Sequence, residues 1–224
     1  MKKELWLIWK NPNSRRRYTV GILTQHVDKF IFKYNEQVVE EISEQGFDYF
    51  PGFNNIKETY ASENLFPNIL NRLPNSNRDD YEEILNSYGL NMNNTFFEIL
   101  ERTKGRLLTD NYEFIPPFNK NKIEFEVAGI NHCKDFEKCR DILKIGDKLS
   151  LELEANNQYD NNAIMVIFTD KEKYKIGYVP RYYSEDLAKL LRKNIGYIAE
   201  INNIKIETLI KDESVSAKVE LLFK

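Results

Sequence analysis

Asn156–Ile164 reads NNQYDNNAI, and a little further on Gly177–Arg181 reads GYVPR. The first stretch crowds four Asn, one Asp and one Tyr into nine residues and then gives way at once to the apolar MVIF. Asn and Asp side chains bond their own neighbouring backbone and tolerate left-handed conformations, so this is an ordered turn leading into a buried strand. Composition alone describes it as a polar hairpin loop.

Working outward, the flanks read as strands. LSLELE alternates Leu149, Leu151 and Leu153 with Ser150, Glu152 and Glu154, the pattern of a half-buried strand. AIMVIF barely alternates, as expected of a strand covered on both faces. DKEKYK is a charged hairpin, KIGYV returns as the partner strand, and KIEFEVAGI upstream is a strand ending at Gly129. Asp135–Lys144 is a short helix or a structured loop, and Gly146-Asp147 a turn. Ser184 is placed to cap a helix with Glu185 and Asp186 in its first turn and a Leu187, Leu190, Leu191 stripe, closed by Arg192 and Lys193 before Gly196. IAEINNIKIETLI and SAKVELLF add two last strands. Some six short strands with one helix predict a small OB-like or SH3-like barrel.

In this order, FEVAGI, the G-D-x-L-x-L strand from Gly146, N-x-Y-D-x-N-A-I from Asn157 and GYVP from Gly177 resemble the HIRAN domain. That family is a small β-rich module at the N-terminus of certain DNA-repair helicases and a stand-alone domain in bacteria. The resemblance covers roughly residues 123–222. It implies a grip on single-stranded DNA ends, with preference for a free 3′-hydroxyl. Carried onto matching positions, Tyr159 stacks on the terminal base and Asp160 accepts a hydrogen bond from the terminal hydroxyl. Asn156 and Asn157 shape the loop, Arg181 meets a phosphate, and Tyr178 supplies a second aromatic face. Two departures stand out. After Gly129, where helicase-type members carry a basic and an aromatic residue, this chain has Asn131 and His132, and Gln158 occupies a position where Pro is usual. A stacking role falls to His132, and the cation's phosphate contact is lost or moved.

Composition bounds the partners. Residues 1–118 carry 14 Lys and Arg against 17 Asp and Glu, and residues 119–224 carry 18 of each, so any nucleic-acid site must be small and local. No apolar run reaches the ~18 residues of a membrane span, and MKKELWLIWK lacks a cleavable-signal pattern. The expected setting is a bacterial cytoplasm, with no membrane partner. Cys133 and Cys139 lie close together in a lysine-rich segment, which argues against a disulfide framework. With His132 they fall short of the four ligands of structural zinc, so no metal or cofactor is expected.

The N-terminal half opens with ELWLIW, RYTVGIL and KFIFKY, short aromatic and β-branched runs separated by NPNSR and TQHVD, which predict a three-stranded meander. Arg15, Arg16 and Arg17 beside the first turn read as a solvated hairpin end, with a phosphate contact as the sharper alternative. Val38, Val39 and Ile42 mark a helix stopped by Gly46, and FDYFPGF an aromatic loop packed as core. Three more helices are expected: one along Leu65–Leu73, one capped by Asn77 and stopped by Gly89, and one from Thr95 to Gly105. The meander ending in VGIL, then LFPNILNRL, YGL and ERTKGRLLTD, loosely resembles the small N-terminal subdomain of HipA-type toxin kinases. That resemblance implies an interaction surface for a HipA-like kinase and no catalytic residue, because the kinase core of that family lies downstream of it.

The expected whole is an α+β chain. An N-terminal β-meander domain with three or four helices covers residues 1–115, a linker 116–122, and a HIRAN-like barrel 123–224. EFIPPFNKNK, residues 113–122, supplies the linker signal through Pro116-Pro117. No Gly-rich phosphate loop, HExxH or Gly-x-Ser-x-Gly occurs, and the chain has two His, so no catalytic residue is named. Two functions remain: binding of single-stranded DNA or a DNA 3′ end, and an antitoxin-like partner of a HipA-type kinase with HIRAN as a DNA tether.

Overall fold

The computed structural model describes residues 2–205 and 214–222. It comprises two compact units, Met1–Pro117 and Phe118–Lys224.

In the N-terminal unit, β1 (Lys3–Lys10), β2 (Arg17–Gln25) and β3 (Phe30–Tyr34) form the expected meander. β4 (Thr59–Ser62) and β5 (Tyr112–Ile115) extend it to an antiparallel sheet in the order β4-β3-β2-β1-β5. Glu113–Ile115, the opening of the 113–122 stretch, pair with Ile8–Trp6 and are buried, so that part of it is strand and the connection follows Ile115. The aromatic loop does pack as core. Phe53 stacks on Phe32 with ring centroids 4.2 Å apart, and Phe50 sits edge-on to Tyr112 and Phe114.

The helices here are α1 (Glu36–Ile42), α2 (Pro67–Leu70), α3 (Tyr81–Ser87) and α4 (Phe96–Thr103). Asn35 caps α1, and a reciprocal capping box between Thr95 and Glu98 starts α4. Two expectations change. The helix along Leu65–Leu73 is a single turn, beyond which Arg72 turns inward to Asp110 (2.7 and 2.8 Å) and the Gly105 carbonyl (2.7 Å). α3 begins at Tyr81 rather than after Asn77, whose own N–H donates to the Asn75 side chain in a preceding turn. Arg17 is also reassigned, because its Nε donates to buried Glu113 at 3.0 Å. Arg106 grips the other oxygen of that carboxylate, with Nε at 2.8 Å.

In the C-terminal unit, β6 (Lys122–Glu126), β7 (Lys148–Leu153), β8 (Ile164–Thr169), β9 (Lys173–Tyr178), β10 (Gly196–Ile204) and β11 (Val215–Leu222) form one antiparallel sheet. Its order is β6-β11-β10-β7-β8-β9. The sheet curls until its two edges meet. Ala128, just past β6, and Tyr178, ending β9, exchange backbone hydrogen bonds of 2.8 Å each. A bulge at Ile176 precedes this contact and adds local twist. Gly177 makes the contact possible, since a Cβ there would lie 2.6 Å from the Ala128 carbonyl oxygen and 2.4 Å from Val127 Cγ1. On the far side β7 and β10 pair at Leu149–Ala199 and Lys148–Glu200, and the Ile201 backbone continues the contact by donating to the Asp147 carbonyl (3.0 Å) and accepting from the Gly146 N–H (2.7 Å). Beyond them the Tyr197 hydroxyl takes over, accepting from the Leu151 N–H (2.9 Å) and donating to its carbonyl (3.3 Å). β7 is thereby released to run on into the Asn-rich loop.

Two helices pack on this sheet where one was expected. α5 (Lys134–Cys139) buries Phe136 and Cys139 at helical spacing, and α6 (Arg181–Arg192) buries Tyr183, Ser184, Leu187 and Ala188. Burial raises the Cys139 thiol pKa to about 11. Residues 206–210 of the penultimate expected strand lie outside the described residues.

Two predictions follow from the packing. Gly177→Ala should destabilise the C-terminal unit by about 2–3 kcal/mol, the scale of an overpacked core, read as a lower urea midpoint and faster amide exchange at Ala128 and Tyr178. An unchanged midpoint would mean the two edges are not locked together. For Glu113, burial alone would raise the carboxyl, but Arg106 and Arg17 overcome it and lower the pKa from 4.5 to about 2. A depressed folded pKa gives stability that is complete above the unfolded value and lost as pH falls through the folded one. The stability advantage of the native chain over Glu113→Gln should therefore shrink between pH 4.5 and 2. A gap independent of pH would contradict the ion-pair reading.

Candidate nucleic-acid interface

Asn157 organises the Asn-rich loop. Its Oδ1 accepts the backbone N–H groups of Tyr159 (2.9 Å) and Asp160 (3.0 Å), a turn in which a side chain replaces a carbonyl. Asp160 repeats the device, its Oδ1 accepting the Asn162 N–H at 2.9 Å. With the backbone held from below, Tyr159 projects outward and stands 71% exposed. Asn156 is exposed beside it.

Two anchors fix the loop to the rest of the unit. The first is Glu154, the last outward residue of the β7 alternation. Its carboxylate accepts from the Asn157 side-chain amide, the Tyr178 hydroxyl (2.8 Å) and the Lys175 ammonium (3.0 Å). Lys175 also lies against Tyr178, 4.3 Å from the ring centroid and bonded to its hydroxyl. The Asn157 amide, with Lys175 and Tyr178, holds the Glu154 carboxyl below the usual range. Burial opposes the Lys175 charge, but its bonds to Tyr178 and Glu154 outweigh this and raise its pKa.

The second anchor is α6. Ser184 does not cap it: the helix starts at Arg181, after Pro180, and Ser184 lies inside its first turn, 1% exposed. Its hydroxyl donates to Asp160 Oδ2 at 2.7 Å. At the other end, Arg192 Nη1 donates to Asn162 Oδ1 at 2.9 Å. Pro180 explains the early start, because a fixed φ just ahead of a helix suits its first turn and leaves Ser184 free to look inward.

These bonds bring the candidate residues together. Tyr159, Asp160, Asn156 and Asn157 share one loop, Tyr178 joins it through Glu154, and Arg181 lies exposed at the start of the helix that holds Asp160. Asn131 and His132 sit exposed on the 3-10 turn Ile130–His132, carried there by the Ala128–Tyr178 bridge. A Cβ on Gly129 would lie 3.4 Å from the Tyr178 ring, so that ring packs against the turn. Sequence reading missed Glu154, Lys175 and Ser184. Glu154 reads as the outward end of LSLELE and Lys175 as the end of the charged DKEKYK hairpin, and their meeting depends on a register that no local pattern carries. Asp160 is also less free than expected, since each of its oxygens already accepts one hydrogen bond and keeps its remaining lone pairs for a ligand. Among the described residues no group of three or more His, Cys, Asp or Glu could hold a metal ion.

Removing the organising amide should loosen the loop without unfolding the sheet. Asn157→Ala should raise amide exchange at Tyr159 and Asp160 about tenfold, the equivalent of one lost net hydrogen bond. Unchanged exchange at both would show that Asn157 does not set the turn.

Residues 120–222 match the family model described as the HIRAN domain. No curated protein matches the chain. Among solved structures, the chain is similar to the HIRAN domain of human HLTF at 14% identity and a TM-score of 0.35, covering 45% of this chain and 74% of that one. It is likewise similar to a protein from Lactobacillus plantarum at 23% identity and a TM-score of 0.34, covering 45% and 92%. The family match does not reach the HipA-like stretch of the N-terminal unit, so that weaker resemblance gains no support from it. The curled sheet, the Asn-rich loop and the Gly-Tyr-Val-Pro edge all fall within the matched residues, and the C-terminal unit of this chain is a HIRAN domain.

Proposed function

We propose that the C-terminal unit binds single-stranded DNA at a free 3′ end and that the chain acts as a binding protein without catalysis. The family match supports nucleic-acid binding in general. What carries the finer reading is Tyr159, an aromatic ring 71% exposed on a loop whose backbone is fixed from beneath by Asn157 and Asp160. An exposed ring on a rigid support loses little entropy when a base stacks on it, and such stacking contributes about 1–3 kcal/mol.

Asp160 lies next to that ring with its orientation set by Ser184 and Asn162. A terminal 3′-hydroxyl can donate to a remaining lone pair, whereas a 3′-phosphate would bring a second negative charge against the carboxylate. Arg181, exposed one helical turn from Ser184, is the cation for a backbone phosphate. Tyr178 is committed to Glu154 and Lys175, so its role is to hold the loop and to present an edge beside the Asn131–His132 turn. Glu154 already neutralises Lys175, which leaves few cations for the phosphates and suits short contacts at an end over a long track.

Fluorescence anisotropy with a short labelled oligonucleotide tests this. The strand with a 3′-hydroxyl should bind more tightly than the 3′-phosphorylated strand or a blunt duplex. With one or two phosphates engaged, the salt slope should be shallow, about −0.7 to −1.4 in log K per log salt. Tyr159→Ala and Asp160→Ala should each weaken binding about tenfold or more. Equal affinity for all three ligands would sink end recognition, and no binding at all would sink the DNA reading.

A further inference from the structure

The Lys175 ammonium stands beside the candidate interface, yet its bonds run into the unit. It donates to Glu154 Oε1 at 3.0 Å and to the Tyr178 hydroxyl, and it lies 4.3 Å from the Tyr178 ring centroid. The Tyr178 hydroxyl in turn donates to Glu154 Oε2 at 2.8 Å, so cation, phenol and carboxylate close a ring of three hydrogen bonds. The Lys175 and Glu154 side chains are 29% and 28% exposed, and a partly buried pair is screened by salt less than a surface one. Asp135 of α5, the other carboxylate that feels Lys175, is itself paired with Lys138 at 2.8 Å.

This pair is tied to Asp160 by short links. Glu154 Oε2 accepts the Asn157 side-chain amide, whose Oδ1 accepts the Asp160 N–H at 3.0 Å. The backbone repeats the connection: the Glu154 N–H donates to the Ala163 carbonyl (2.9 Å), and the Ala163 N–H donates to the Asp160 carbonyl (3.0 Å). Asp160 therefore sits next to a lysine whose charge is cancelled. A terminal phosphate brought against Asp160 meets a carboxylate and finds the Lys175 ammonium already taken, whereas a terminal hydroxyl needs no cation.

We propose that Glu154 determines the end specificity of this site, by holding Lys175 in a neutral pair and so withholding from a 3′-phosphate the cation that would offset its repulsion from Asp160. The proposal rests on the end-binding reading above and adds the residue that sets its selectivity. Glu154 acts through Lys175 and touches no ligand atom, which makes it a positioning residue. Lysine is the cation suited to such restraint, since its flexible stem lets the ammonium swing to a phosphate once the partner carboxylate is gone.

The test is anisotropy on the full chain with one labelled strand in its 3′-hydroxyl and 3′-phosphate forms. In Glu154→Gln the preference for the hydroxyl should fall about three- to tenfold, the effect of one uncompensated charge near a partly buried site. The fall should come from tighter binding of the phosphorylated strand, and the salt slope should steepen by about 0.7. A loosened loop would weaken binding of both strands, so tighter binding reads charge rather than folding. Lys175→Gln leaves the carboxylate uncompensated and should widen the preference instead, and the double variant should return to the native one. A native preference that neither single variant changes would overturn the proposal, as would a Glu154→Gln gain that persists without Lys175. A native chain that binds neither strand, or both equally, is a separate result: it removes the end-binding reading itself, and this inference with it.

Discussion

The C-terminal unit depends on one backbone contact, the pair of hydrogen bonds between Ala128 and Tyr178. A six-stranded antiparallel sheet left open would expose β6 and β9 as edges; this bridge brings their ends together. The approach is so close that residue 177 has no room for a Cβ, and glycine is the residue without one. The same bridge sets the Gly129–His132 turn beside the Tyr178 ring, so closing the sheet also brings two of the candidate segments together.

Around that closure, the loop gains its order from charge and amide chemistry rather than from burial. Glu154 ties together a strand end, the return strand and the Asn157 side chain, and Ser184 and Arg192 tie the loop to α6 from the other side. None of these bonds needs to be strong alone. A network in which each polar group finds a partner fixes one geometry, and the loop can then show an aromatic ring to solvent without losing its shape. Lys175 and Arg192 are thereby occupied within the unit, held by Glu154 and Asn162.

The N-terminal unit solves a different problem. β5 arrives late in the chain to pair with β1 and buries Glu113 in doing so, which is tolerable because Arg17 and Arg106 neutralise it from two directions. Arg72 closes the neighbouring turn in the same way through Asp110. Both cationic clamps lie on the β5 side, and β4 forms the opposite edge of the sheet.

Much of this was legible in the residues. The alternation of LSLELE, the unbroken AIMVIF and the aromatic runs of the meander carry their strand identities locally, because period and side-chain shape act within one element. The NNQYD turn and the Thr95 capping box are legible for the same reason, as side chains bond backbone only two or three residues away. The combined motifs of the C-terminal half sufficed for its family. Tertiary structure alone decided that Glu113–Ile115 is a strand, that Arg17 serves a buried carboxylate, and that Ser184 faces Asp160 instead of capping its helix. It also decided that Glu154 and Lys175 meet, 21 residues apart, through the register of three strands. Each of these rests on a partner distant in sequence, and a contact between distant residues is set by packing, which no local pattern encodes.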